Sequence, residues 1–247
     1  MSGGAERDAG ARPAGRFADI RTRAVSALAL GGAALALILG GGLWSMSLVA
    51  ALAGAMAWEW RSVTVHRGGQ VAPSGWGTVL APPVGVVVSH VVSPGAGLLT
   101  VAGVAVAQVG ADLFAARRGA ALWGLLGAGL IGLAAIAFLW IRESDPYGVL
   151  ACIWIVLVVV ATDMGGYFAG RLIGGPKLWP AVSPKKTWAG LVGAVGLASA
   201  TGFLFSWATT GTYYDEVCTV SAAAALLAQA GDLGESALKR HAGVKDS

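Results

Sequence analysis

The chain has 247 residues, 56% of them hydrophobic and only 12% charged, with 38 Gly and a net charge of +4. A soluble domain carries about twice that charged fraction, so the composition excludes an ordinary water-soluble globule, and its apolar share excludes a disordered chain. The pI near 9.3 needs no nucleic acid, because no basic patch is interleaved with stacking aromatic residues.

Residues 1–20 are polar and rich in Gly, Ala and Arg, and read as a disordered cytoplasmic tail ahead of one membrane domain, 21–247. Arg7, Arg12, Arg16, Arg21 and Arg23 before an apolar run resemble a signal peptide, with Ala55-Met56-Ala57 as its cleavage site. The length of the run and the spans that follow favour an uncleaved helix. Six charge-free intervals come next: 24–58, 68–111, 119–141, 146–162, 187–214 and 217–231, of 35, 44, 23, 17, 28 and 15 residues. A spanning helix needs about 20 apolar residues, within a range of about 17 to 25, so the first two intervals hold two spans each and the others one. The expectation is an all-α, polytopic transmembrane bundle of eight spans. The runs are continuous, which favours helices over a barrel of alternating strands.

Small residues such as Gly124, Gly127, Ala128 and Gly132 suit close helix contact in lipid. Trp44, Trp58, Trp60, Trp140 and Trp179 fall near span ends and read as headgroup anchors. Eight crossings from a cytoplasmic tail put 16 of the 17 basic residues inside and leave Arg142 outside with Glu143, Asp145, Asp215 and Glu216. That is the positive-inside bias, and it places both termini in the cytoplasm. Cys152 and Cys218 lack ligand spacing and read as buried thiols. His66, His90 and His241 have no partner at ligand spacing either.

Ionisable groups within spans are functional candidates. Asp112, Asp163, Asp232 and Glu235 all fall at the cytoplasmic ends of their spans and imply one polar site there. Asp232, Glu235, Ser236, Lys239 and Arg240 occupy positions i, i+3, i+4, i+7 and i+8 of a helix and share a face. Carboxylate, hydroxyl and ammonium groups in line suit a divalent cation with phosphates; a snorkelling helix end with i,i+4 pairs is the plain alternative. The second cluster is expected as a cytoplasmic loop from Asp163 through Arg171 and Lys177 to Ser183, Lys185, Lys186 and Thr187. Its Gly and Pro bend the backbone and expose N–H groups to phosphate, although a basic loop that touches anionic headgroups has the same composition. Phosphate-loop, zincin, nucleophile-elbow and deaminase motifs are absent.

Asp163-x-Gly-x-Tyr-Phe-x-Gly-Arg171, Ser183-Pro-Lys-Lys-Thr-Trp188 and Gly231-Asp-Leu-x-Glu-Ser-x-x-Lys-Arg240, followed by Lys245-Asp246-Ser247, resemble the phosphatidate cytidylyltransferase family. The lead-in Arg21-Thr-Arg-Ala-Val-Ser26 and Glu59 are similar to it as well. The resemblance implies transfer of a cytidylyl group from CTP to phosphatidate, giving CDP-diacylglycerol and pyrophosphate, at the cytoplasmic face of a bacterial inner membrane. It implies one or two Mg²⁺ ions held by Asp232 and Glu235, and catalytic work by Asp232, Ser236, Lys239 and Asp246. Substrate binding then falls to Asp163, Arg171, Lys177, Ser183, Lys185, Lys186, Thr187, Arg240 and Lys245. The implied partners are CTP, phosphatidic acid and membrane lipids, with a homodimer as a candidate assembly.

Two departures from the family pattern stand out. Ala189 occupies a position that is usually acidic, so that carboxylate is lacking. The family pattern also runs past Ser247 into a further acidic segment and a last span, so the chain by itself is expected to be inactive. A small transporter, or an inactive family member that keeps only the fold, are the other readings; no paired interrupted spans or midplane charges support transport.

Overall fold

The computed structural model describes residues 31–36, 38–65, 75–115 and 118–242, and among these it is predominantly helical. The short apolar helix α1 (Gly31–Gly40) leads to α2 (Gly42–Val65), α3 (Trp76–Val91), α4 (Pro94–Phe114), α5 (Arg118–Glu143) and α6 (Gly148–Leu172). A hairpin of β1 (Lys177–Trp179) and β2 (Ser183–Thr187) then precedes α7 (Trp188–Thr209) and α8 (Tyr214–Ala242). The tail 1–20, the lead-in at Arg21 and the C-terminal Lys245-Asp246-Ser247 lie outside the described residues.

The breaks inside the two long apolar intervals have local causes. Gly41 takes φ +66°, and Arg142 from the end of α5 donates Nε to Ile38 O at 2.6 Å and Nη2 to Leu39 O at 3.2 Å. The guanidinium satisfies carbonyls that a helix end leaves orphaned. Between α3 and α4, Ser93 Oγ accepts from Ala96 N–H at 3.2 Å, and Pro94 occupies the first turn, where its missing N–H costs nothing.

Helices α2 to α5 pack around Ala81, Val86, Ala105, Ile136 and Leu139, and α6 to α8 around Val158, Ala198 and Ala225. Contacts of α5 with α6 and of α2 with α8 join the two groups. Large apolar side chains including Leu99, Leu130, Val159 and Leu227 remain exposed, as they do where the surrounding solvent is lipid.

Five helices, α4 to α8, are long and apolar enough to cross a membrane. Of the eight expected spans, α1 is short and α3 has 16 residues, a rise of about 24 Å against a hydrocarbon core of about 30 Å. Helix α2 has 24 residues, but Ser45, Ser47, Glu59, Arg61, Ser62 and Thr64 dilute its apolar character.

The expected loop Asp163–Arg171 is instead the continuation of α6. Its glycines serve packing: a Cβ on Gly165 would lie 2.3 Å from Gly193 O, and one on Gly193 would lie 2.3 Å from Ala169 Cβ, so the α6 and α7 backbones touch where side chains would hold them apart. Trp60, near the end of α2, serves packing as well. It packs against the α2–α5 core above Gly127, and its Nε1 donates to Trp123 O at 2.8 Å.

Gly193→Val should therefore lower stability by about 1–3 kcal/mol through overpacking, read as a loss of unfolding midpoint in detergent. Gly196→Ala, where a Cβ would meet nothing within 4 Å, should cost nothing. Equal midpoints for the two variants would refute the close α6–α7 contact.

Candidate active site

The segment from Pro176 to Trp188 forms an antiparallel hairpin in place of the expected irregular loop. Lys177 pairs with Thr187 and Trp179 with Ser183, and Trp188 N–H closes the base on Pro176 O at 3.1 Å. Gly174 and Gly175, at φ +67° and +92°, turn the chain out of α6; a Cβ would be strained there. Thr187 is buried and caps α7, its Oγ1 accepting from Gly190 N–H at 3.1 Å. The cap fixes where β2 ends and α7 begins.

Successive strand residues face opposite ways, which separates the two adjacent lysines. Lys186 turns toward α8, where Nζ donates to Asp232 Oδ2 at 2.9 Å and Gln229 Oε1 at 3.1 Å. Lys185 is exposed beside it. The lysine side chain of this ion pair is 21% exposed and the aspartate side chain 53%, so the carboxylate presents an open edge to a ligand.

Helix α8 keeps the expected spacing but shares its polar residues between two neighbours. At about 100° per residue, Asp232, Ser236 and Arg240 trend to one edge, and Glu235 with Lys239 to the other. Asp232 and Arg240 reach the hairpin, Arg240 Nε donating to Val182 O. Glu235 and Lys239 pair at 2.7 Å and line a cleft against α2 and α5. Ser236 is half-buried between the edges.

This cleft has a volume of about 830 Å³ and walls of Trp60, Val63, Leu126, Leu130, Ile131 and Leu238, with Glu59, Glu235 and Lys239 as its charged lining. The polar cluster therefore adjoins a large apolar groove. Glu59 comes here from α2, 176 residues away from Glu235 in the chain; nothing in its local sequence shows that proximity.

The remaining expected residues make no described hydrogen bond or ion pair with Asp232. Asp163 is exposed well before the end of α6, and Arg171 Nη1 donates to Tyr167 Oη at 2.7 Å within the same helix. Lys177 is exposed and Ser183 half-buried on the hairpin. None of the described hydrogen bonds or ion pairs joins Asp163, Arg171, Lys177 or Lys185 to Asp232. Asp112 is buried in α4, in the other helix group. Among the described residues no three His, Cys, Asp or Glu side chains converge to hold a metal by themselves.

The model of the Cytidylyltransferase family matches residues 21–247. The phosphatidate cytidylyltransferase of Brucella suis biovar 1 (strain 1330) is 30% identical over 234 residues, covering 94% of this chain and 84% of that protein. That of Bacillus subtilis (strain 168) is 38% identical over 118 residues, 47% of this chain and 44% of the relative. That of Haemophilus influenzae is 38% identical over 109 residues, 42% and 38% of the two chains. With a helical bundle, a polar cluster beside an apolar groove, and similarity across nearly its whole length, the chain belongs to the cytidylyltransferase family.

Proposed function

We propose that the junction of the hairpin, α8 and the α2–α5–α8 cleft is where this enzyme joins CTP to phosphatidate. The enzyme transfers the cytidylyl group, giving CDP-diacylglycerol and pyrophosphate. The observation that carries the placement is Lys186 held against Asp232 and Gln229 next to an 830 Å³ apolar cleft: a charge site for phosphates adjoins a site for hydrocarbon.

In this reading an oxygen of the phosphatidate phosphate attacks the α-phosphorus of CTP. The new O–P bond forms as the bond to the bridging oxygen breaks, and the electron pair leaves on pyrophosphate. A phosphomonoester has a second pKa of about 6, so the nucleophile is already largely dianionic near neutrality and needs no strong general base. Positioning and charge neutralisation dominate. Lys186 and Lys239, released from their carboxylate partners, meet phosphate oxygens, and Arg240 steadies the hairpin turn. Lys185 extends the positive field from the exposed side of β2.

Asp232 and Glu235, one helical turn apart on α8, fit the donor set of a Mg²⁺ ion, which takes one or two carboxylates with substrate phosphates. Such an ion would offset phosphate charge. Asp246 and Lys245, also assigned to the site, lie outside the described residues. The bias of basic residues supports an inner-membrane enzyme with this site on the cytoplasmic side.

In a version that carries the acidic segment the family pattern places after Ser247, Asp232→Asn keeps the side-chain shape but removes its charge, so turnover of labelled CTP with phosphatidate in detergent should fall at least about 100-fold with folding intact. Near-normal turnover would remove Asp232 from the chemistry. Leu130→Trp should fill the cleft and raise the KM for phosphatidate while sparing that for CTP; parallel rises in both would argue against an acyl-chain site. For orientation, Thr210→Cys and Arg118→Cys in a Cys-free chain should label from opposite faces of intact cells. Labelling of both from outside would overturn the eight-crossing arrangement.

A further inference from the structure

Gln229 belongs to a charge-free stretch of α8 and attracts no notice in the sequence, yet its amide oxygen accepts from Lys186 Nζ at 3.1 Å. It is half-buried, and its amide rests where α6 and α7 cross. A methyl on Gly166 would lie 3.9 Å from Gln229 Nε2, and 3.7 Å from Gly190 O and from Ala194 Cβ. These are ordinary van der Waals separations, and they place the amide against the α6–α7 crossing. The other acceptor for Lys186, Asp232, is one helical turn farther along α8 and more exposed.

The two acceptors differ in what they do to the ammonium. A carboxylate at 2.9 Å cancels its charge, and the same carboxylate is drawn away by any cation that enters with a polyphosphate. An amide oxygen carries no net charge. It holds Nζ in place, leaves the lysine positive and does not repel an incoming phosphate. A lysine side chain otherwise gains up to about 2 kcal/mol of rotamer entropy when released, and that freedom would oppose productive binding.

Resting on the reading of Lys186 as a phosphate-binding residue, we propose that Gln229 is a positioning residue that keeps Lys186 aimed at the polyphosphate of CTP once Asp232 changes partner. Gln229 itself need not touch the nucleotide.

The test is a double-mutant cycle on the full chain in detergent, with Kd for CTP measured by titration in the presence of Mg²⁺. Gln229→Leu should raise Kd about 10-fold, the size of a lost hydrogen bond to a charged group. Lys186→Ala should raise it at least as much, and Gln229→Leu added to Lys186→Ala should change it by less than about 2-fold. An unfolding midpoint within the spread of the wild type separates this from damage to the α6–α7–α8 crossing. Gln229→Met, of similar length without an acceptor, supplies the same comparison if the leucine variant folds poorly. Equal losses with and without Lys186 would overturn the proposal and assign Gln229 to packing, leaving the reading of Lys186 intact. An unchanged Kd for Lys186→Ala would overturn the phosphate role of Lys186, and the positioning role with it.

Discussion

A charge placed beside hydrocarbon must find an opposite charge or a strong dipole, because the surroundings supply neither. In the candidate site Lys186 meets Asp232, Lys239 meets Glu235, and Arg240 meets the Val182 carbonyl. These contacts tie the hairpin to α8 and complete the polar end of the cleft. They also leave the site close to neutral, so on the proposed reading a polyphosphate arriving with a cation would exchange partners and would not bring charge into an unpaired pocket. Part of the cost of desolvating Lys186 is already met in the fold, which leaves more of the binding interaction for orientation.

The exchange requires α8 to be held in register with the hairpin. The register is set by packing farther along the same helices. Ser221 Oγ accepts from Trp154 Nε1 at 3.0 Å and donates to Val217 O, which satisfies the buried Ser221 hydroxyl and the half-buried Trp154 indole between α6 and α8. The backbones of α6 and α7 touch at Gly165 and Gly193. Lipid offers no hydrophobic drive for helices to associate, so close backbone approach and these few hydrogen bonds carry the association. A shift of α8 by one residue would turn Asp232 by about 100° from Lys186.

The helices were legible in the sequence because a charge-free run of about 20 residues, in a chain this apolar, matches the thickness of a bilayer and exceeds what a buried strand requires. The face carrying Asp232, Glu235, Ser236, Lys239 and Arg240 was legible because helical periodicity orders neighbours within one element. Relations between elements were not. Glu59 and Glu235 line one cleft although no local pattern links α2 to α8. Asp163–Arg171 resembled a loop because Gly165, Gly166 and Gly170 are poor helix formers, and the benefit of their missing side chains resides on α7. Trp60 read as an anchor by its place near a run's end, and no local pattern shows that the Trp123 carbonyl on α5 accepts its indole proton. The hairpin eluded a helical reading for a similar reason, since its ladder joins segments on either side of a turn.

The two helix groups meet different parts of one problem. A phosphatidate molecule is a dianionic headgroup on two hydrocarbon chains, and no single medium suits both. The α2–α5 group presents apolar walls from Val63, Leu126 and Leu130, while α6 and α7 carry the hairpin with Lys185 and Lys186. Helix α8 contributes to both: Leu238 lines the cleft and Asp232 holds Lys186. Because residues between Gly231 and Lys239 line the cleft while Asp232, within the same stretch, faces the hairpin, the two sites lie side by side on neighbouring edges of one helix. On the proposed reading, a lipid seated in the cleft would have its phosphate beside the edge of α8 that holds Lys186, and burial of hydrocarbon would then help to align the reacting group.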